Sequence, residues 1–230
     1  MDIIFPLGLG SLHNDIELRF SLRSIQKHLT GYSKIYIIGH CPSWIQNIIH
    51  LPAADKSYTE NKESNIFNKI LIACNHPSIS NNFLFFNDDH FILKNMDASQ
   101  FPYFHKGLMT TSGRQPHEPY YKTLDNTIRL FPATNNFDVH CPIIYNKQAF
   151  ASMQLPFPPY GYCIKTLYCN HQKIKGELCE DLKITKTLNQ QQIAEVIQNR
   201  IFFSIGNSAF AGEILKTLHT LYPQKSIYEK

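Results

Sequence analysis

The sequence predicts an α/β fold: a Rossmann-type mixed, mainly parallel sheet flanked by helices, in a single domain. Three observations predict it. Short, fully apolar runs alternate with longer segments whose apolar residues recur at helical spacing. Glycine, proline or polar residues close the apolar runs. The 230 residues are 43% hydrophobic and only 17% charged, enough for one packed core and too apolar for disorder.

Residues 2–5 read as a buried strand that Pro6, Gly8 and Gly10 turn into a tight loop. Asn14 or Asp15 stands where a cap is needed for a helix over 16–29, on which Leu18, Leu22, Ile25 and Leu29 share a face. Residues 34–38 form a second strand ending at Gly39, and 48–51 a third closed by Pro52. Ile66, Ile70 and Ala73 mark one face of a helix over 63–74. A fourth, wholly apolar strand over 83–86 runs straight into Asn87-Asp88-Asp89-His90. Strand, helix, strand, strand, helix, strand requires crossover connections, hence mainly parallel pairing. Ligands of such sheets bind beyond the carboxyl ends of the strands. Pro6-Leu7-Gly8 and Asp88-Asp89 both fall there.

The stretch 101–136 is rich in Pro, His, Thr and Tyr and reads as long loops, with a strand or short helix near 121–130. Residues 138–145 read as a strand that includes His140, 156–162 as a punctuated loop, and 190–200 and 212–221 as helices. No repeat and no boundary divides residues 1–230.

A net charge of +4 is too mild for a nucleic-acid footprint and suits an anionic small substrate or loose contact with an anionic membrane. Twelve Tyr and 16 Phe supply flat side chains for a core or a polar groove. Cys41, Cys74, Cys141, Cys163, Cys169 and Cys179 form no CxxC pair, so free thiols are expected. Met1 is followed at once by Asp-Ile-Ile-Phe-Pro, so no signal peptide is expected, and no window has the 18 or so apolar residues of a membrane span.

Chemistry concentrates at Asp88 and Asp89. Adjacent carboxylates at a strand exit repel unless a cation joins them, and hard oxygen donors suit Mg2+ or Mn2+. The competing reading is a polar loop with one Asp capping a helix. Asn65 and Lys69, one helical turn apart, suit a base or a phosphate, or equally a solvated face. Arg19 and Arg23 repeat that spacing and suit a pyrophosphate, although Glu17 offers surface ion pairing instead. Asp138 and His140, two apart, share a face if extended, and the imidazole suits a metal or a proton transfer. Lys165, Glu180, Asp181 and Lys183 cluster later, and one carboxylate there is a candidate base for an acceptor hydroxyl.

The element order resembles the GT-A nucleotide-sugar transferase fold, with Asn87-Asp88-Asp89 in the place of that fold's Asp-x-Asp. Closer still, Glu17-Leu18-Arg19-Phe20-Ser21-Leu22-Arg23-Ser24-Ile25 is very similar to the second conserved block of the Stealth family of bacterial capsule sugar-phosphate transferases. Lys34-Ile35-Tyr36-Ile37-Ile38 and Phe85-Phe86-Asn87-Asp88-Asp89 fit it too, and His140-Cys141-Pro142 looks like its His-x-Pro block. The first block departs, because Ile3-Ile4-Phe5-Pro6-Leu7-Gly8 stands where a Trp-rich, Asp-containing strand end is expected. The chain is short for that family. It also resembles small bacterial polysaccharide-cluster glycosyltransferases, some of them galactofuranosyltransferases, in its ending Tyr222-Pro223-Gln224-Lys225-Ser226-Ile227-Tyr228-Glu229.

These resemblances imply a nucleotide-sugar-binding half over 1–100 and an acceptor-binding half over 101–230. They imply Mn2+ or Mg2+ on Asp88, Asp89 and His140, and donor contacts from Pro6, Leu7, Gly8, Arg19, Arg23, Asn65, Lys69, Asn87, Asp88 and Lys165. Asp138, His140 and Asp181 are the candidate catalytic residues. The implied donor is a UDP-sugar, UDP-galactofuranose among the candidates, and the acceptor a lipid-linked or oligosaccharide precursor of capsule or O-antigen. The expected location is the cytoplasm, with at most peripheral contact at the inner face of the bacterial plasma membrane. Glycosyl transfer is placed first because of the altered first block, the short chain and the single domain. Sugar-1-phosphate transfer, giving a phosphodiester, is the alternative, and carbohydrate binding without turnover the third reading.

Overall fold

Fifteen principal elements follow one another along the described residues: β1 (Asp2–Leu7), α1 (Ile16–His28), β2 (Ile35–Gly39), β3 (Ile49–Leu51), α2 (Tyr58–Asn75), β4 (Asn82–Phe85) and β5 (His90–Ile92), then α3 (Pro119–Leu130), β6 (Ile143–Asn146), α4 (Lys147–Ala151), α5 (Ile164–His171), β7 (Lys183–Ile184), α6 (Gln190–Ile197), β8 (Phe202–Ile205) and, last, the helix α7 (Glu213–Leu221). The structure is a computed structural model that describes every residue except Gly10, Ser57 and Gln154, and every side chain except those and Tyr58 and Thr59. Gly10, named as a loop former, therefore lies outside the described residues.

The main sheet has the order β3-β2-β1-β4-β6, parallel except for β6 at the edge. A second sheet, β7-β8-β5, mixes one parallel and one antiparallel pairing. Alternation along β1 decides what covers the main sheet. Ile3, Phe5 and Leu7 pack on Leu18, Leu22 and Ile25 of α1, whereas Ile4 packs with Phe67, Ile70 and Ala73 of α2 on the other side. Phe91 of β5 and Phe203 of β8 join Ile193 of α6 and Leu218 of α7 in a third cluster.

Pro6 does not stop β1. The strand continues to Leu7, with Pro6 opposite Ile38 of β2. Ile4, on the same edge as Pro6, accepts the Phe86 N–H, and β4 then leaves the sheet. The N–H that proline lacks thus falls where no partner strand remains. Gly39 closes β2 at φ +113°, where a Cβ would strike the Leu7 carbonyl and the Lys69 side chain.

Several expectations change. Asp15 occupies the position before α1, but at φ 55° it makes no side-chain cap. Its carboxylate turns to His40, 3.7 Å away. The strand expected over 138–145 begins only at Ile143. Before it, Val139 N–H bonds to Phe137 O and Cys141 N–H to Val139 O, both at 2.8 Å, so the backbone makes two successive three-residue turns. The segment near 121 is a helix with Pro119 at its start, a position that needs no N–H. Short strands β5 and β8 and helices α4 and α5 escaped notice because three to eight residues carry too little periodicity. All six cysteines are free. Among the described residues no helix is long and apolar enough to cross a membrane.

Arg19 and Arg23 are a correction to the pyrophosphate reading. Arg23 grips Glu229 through Nε at 2.7 Å and Nη2 at 2.8 Å. Arg19 adds a bond to the same carboxylate at 3.3 Å and lays its guanidinium on Trp44 at 4.0 Å. Both are spent on anchoring the C-terminal residues to α1. Arg23→Ala leaves the fully buried Glu229 side chain short of its main partner, so unfolding stability should drop by about 3–5 kcal/mol. Nucleotide-sugar affinity of the folded protein should be unchanged. Denaturant melts beside calorimetric titrations check both halves of that statement.

Candidate active site

The chain steps outward from β1 to β2 to β3, then returns to place β4 on the opposite side of β1. The topological switch point lies between β1 and β4, and a cleft of about 680 Å³ opens there at the carboxyl ends. That volume suits a small organic ligand. Pro6, Leu7 and Gly8 enter it from β1, and Asn87, Asp88 and Asp89 from the end of β4. Asp55, Glu63, Asn65 and Lys69 come from α2 and the loop before it, Asp138, His140 and Lys165 from the opposite wall, and Lys183 from the second sheet.

Asn87–Asp89 is the strap by which the chain leaves the main sheet and enters the second one. Asp89 Oδ2 accepts from Lys183 Nζ at 2.9 Å and Ser204 Oγ at 3.0 Å. Asp89 Oδ1 is buried without a hydrogen-bond partner among the described residues. His90 is fully buried and accepts the Asn87 N–H at Nδ1, so the proton of its neutral ring lies on Nε2, 3.8 Å from Asp89 Oδ1. Burial and the Lys165 charge hold that imidazole far below its ordinary pKa. Burial alone would raise Asp89, but His90, Lys183 and His140 outweigh it and hold the carboxyl well below the usual range. Asp88 goes the other way: burial, then Asp89 and Glu17, push it up to about 7. Glu17 itself is buried, with Oε1 held by Ser11 at 2.6 Å and Oε2 without a partner among the described residues.

This chemistry fits a hard divalent cation. Two orphaned carboxylate oxygens and a carboxyl that resists ionisation would all be relieved by one positive ion. The geometry corrects the ligand set, however. Among the described residues no three His, Cys, Asp or Glu side chains converge as a metal site, so Asp88, Asp89 and His140 do not meet on one point.

His140 is committed elsewhere. Its Nδ1 lies 3.0 Å from both oxygens of Asp181, and its backbone N–H donates to Asp181 Oδ1 at 2.8 Å. Lys106 holds the same carboxylate at 2.7 Å. Burial would raise Asp181, but the bond from His140 and the Lys106 charge keep it low and ionised. Asp181 does not border the cleft; it stands behind His140, which corrects its place among the candidate bases. Nδ1–H faces Asp181, which leaves the Nε2 lone pair of His140 free. Asp138 does border the cleft, but its Oδ2 accepts the Tyr120 hydroxyl at 2.6 Å. Lys106, His140 and that bond overcome burial and hold Asp138 low, which makes it a poor base.

The other predicted residues are accounted for in turn. Lys69 is buried, donates to Leu7 O at 2.8 Å and pairs with Asp55 at 2.6 Å, so it braces the end of β1. Asn65 bonds the N–H and carbonyl of Lys56 at 3.0 and 3.1 Å and braces the loop before α2. Glu180 pairs with Arg200 at the surface. Glu63, half-buried in the cleft wall, was missed; burial, with help from Asp138, pushes it up to about 7. The stripe of Lys62, Ile66 and Lys69 on α2 was the signal that its neighbour Glu63 also faces inward.

The raised carboxyls have a sign that can be checked. A folded-state pKa above the unfolded one adds stability at low pH that is lost as pH rises through the folded value. In EDTA, stability from Asp88 and Glu63 should therefore fall between about pH 4 and 7, the upper value being that of both groups. Thermal melts from pH 4 to 8 should show the slope flattened in the double variant Asp88→Asn, Glu63→Gln relative to wild type.

An α/β protein with an acidic strap and an imidazole–carboxylate pair facing one switch-point cleft is the class that fold and site define. Residues 12–110 match the family model for Stealth protein CR2, conserved region 2. The chain is 26% identical over 161 residues to the capsular polysaccharide phosphotransferase cps1A of Actinobacillus pleuropneumoniae, covering 62% of this chain and 44% of that one. It is 26% identical over 153 residues to the capsular polysaccharide phosphotransferase LcbA of Neisseria meningitidis, covering 57% and 41%. The LcbA of Aeromonas hydrophila is 30% identical over 103 residues, covering 41% and 28%. The chain is thus related to the Stealth family, and it spans less than half the length of these curated relatives. The matched family region carries β2, α2 and the acidic strap, one wall of the cleft; His140 and Lys165 lie outside it.

Proposed function

We propose that this cleft transfers a sugar-1-phosphate from a nucleotide diphosphate-sugar to a hydroxyl of a capsular glycan, leaving the two joined by a phosphodiester. The observation that carries the reading is the His140–Asp181 pair on the wall opposite Asp88 and Asp89. The relatives are named phosphotransferases, which reverses the order of the two enzymatic readings. Shortness no longer favours glycosyl transfer, since the similarity covers only part of each relative.

In this scheme the acceptor hydroxyl gives its proton to Nε2 of His140 as its oxygen attacks the phosphorus nearer the sugar. A new P–O bond forms, the bond to the bridging oxygen breaks, and a nucleoside monophosphate leaves with the electron pair. Asp181 holds the Nδ1–H and steadies the imidazolium that results. Mn2+ or Mg2+ held by Asp88 and Asp89 would draw negative charge off the donor phosphates. Pro6, Leu7 and Gly8 shape the wall beside the donor, braced from beneath by Lys69. A UDP-sugar is the proposed donor and a lipid-linked or oligosaccharide precursor the acceptor. The proposed location is the cytoplasm, with salt-sensitive contact at the inner membrane face; attachment that survives high salt and needs detergent would count against it.

Glycosyl transfer uses the same cleft but breaks the sugar–oxygen bond, so a nucleoside diphosphate leaves. Incubation with a panel of nucleotide sugars, a glycan acceptor and Mn2+ or Mg2+, followed by chromatography, separates the two. A nucleoside monophosphate with phosphorus retained in the glycan is expected. Release of the diphosphate restores glycosyl transfer, and binding with no nucleotide released restores the lectin-like reading.

A further inference from the structure

Lys165 is the second residue of α5 and is buried, yet it borders the cleft. Its Nζ donates to Val139 O at 2.6 Å and to Cys141 O at 2.6 Å. Those carbonyls flank His140 and belong to the two tight turns that present its ring. Comparable lysines at this site are neutralised: Lys69 by Asp55 at 2.6 Å, Lys106 by Asp181 at 2.7 Å and Lys183 by Asp89 at 2.9 Å. Lys165 has no carboxylate at ion-pairing distance among the described residues.

A buried ammonium held only by neutral carbonyls is costly unless a counter-charge arrives. Two carbonyls satisfy two of its three N–H groups. Its charge is felt by Glu63, Asp138 and His90, groups that approach the cleft from different elements. The position is therefore both electrically open and mechanically fixed.

We propose that the Lys165 ammonium, pinned by the carbonyls on either side of His140, binds a phosphate oxygen of the donor and so sets the reacting phosphate against the His140 imidazole. One side chain thereby fixes the distance between the group to be attacked and the group that accepts the proton. This deepens the transferase reading and rests on it for the identity of the phosphate. The chemistry recognised is a diphosphate anion, for which inorganic pyrophosphate is the probe.

Calorimetric titration of pyrophosphate in EDTA isolates this contact from any metal. Wild type should bind, and Lys165→Met should bind about tenfold or more weakly, the loss of one charge-assisted hydrogen bond. Lys165→Arg, which keeps the charge but not the fit to both carbonyls, should retain most pyrophosphate affinity while lowering kcat. Should Lys165→Met fail to fold, the ammonium resonances of 15N-lysine-labelled wild type supply the second test. One slowly exchanging signal, absent in Lys165→Arg, should shift on stoichiometric pyrophosphate. Equal affinity in wild type and Lys165→Met, no pyrophosphate binding by wild type, or no shift of that signal each overturns the proposal. The nucleotide released in turnover is a separate readout, so failure of the sugar-phosphate reading leaves a distinct signature from failure of the Lys165 contact.

Discussion

Asp88→Asn is expected to stabilise the metal-free protein at pH 8 and to abolish metal-dependent turnover. The two effects have opposite signs because one carboxylate causes both. Asp88 sits in the cleft with no stabilising side-chain partner among the described residues, and burial with Asp89 and Glu17 pushes it up to about 7. Its ionised form is strained without a counter-ion, so replacing it by a neutral isostere removes that repulsion. Losing the charge also removes the carboxylate proposed to draw a cation to the donor phosphates, and a catalytic metal contributes several kcal/mol, or about 10³-fold or more in rate. Asp89→Ala should abolish turnover as well, but less cleanly. It leaves Lys183 and Ser204, both bonded to Asp89 Oδ2, without their acceptor. About 1–3 kcal/mol of stability should go with it. Melting curves in EDTA and turnover in Mn2+ decide the matter. If Asp88→Asn keeps wild-type activity, or turnover is unchanged in EDTA, the acidic strap holds no catalytic metal.

The residues that were legible in the sequence share a physical cause. Ile3, Phe5 and Leu7 against Ile4, or Leu18, Leu22 and Ile25 along α1, repeat with the period of their element, and the core follows from that period. The strap at Asp88 and Asp89 stood out because it interrupts two apolar runs that belong to different sheets. What sequence spacing could not decide was the partner of each charge. Arg19 and Arg23 have the spacing of a phosphate clamp, but their partner, Glu229, is 206 residues from Arg23 and on no periodic element. Asp181 and Lys183 are two apart, yet one turns to His140 and the other to Asp89. The turns at 137–141 are fixed by Lys165, a contact between segments whose separation no local pattern encodes.

That long-range bracing is also why His140 should show the largest loss in the chemical step. His140→Ala removes the group proposed to take the acceptor proton, and kcat should fall by about 10²–10⁴-fold. Donor affinity should change little, because in the proposed scheme the imidazole meets the acceptor rather than the nucleotide. Stability should also change little, since the side chain is about one-third exposed. Asp181→Asn tests the arrangement more sharply. The carboxylate does not border the cleft, so any loss of activity must pass through His140. An amide can donate to Nδ1 as readily as accept from it, and the tautomer with its free lone pair at Nε2 is then no longer enforced. Lys106 loses its partner in the same variant, so Lys106→Met serves as the control for that charge. The expected order of kcat is wild type, then Lys106→Met, then Asp181→Asn, then His140→Ala, with KM for the donor nearly constant through the series. A His140→Ala enzyme with wild-type kcat would remove the imidazole from the reaction and pass the role of base to another group, with the carboxyl of Glu63, which borders the cleft and is pushed up to about 7, the first to test.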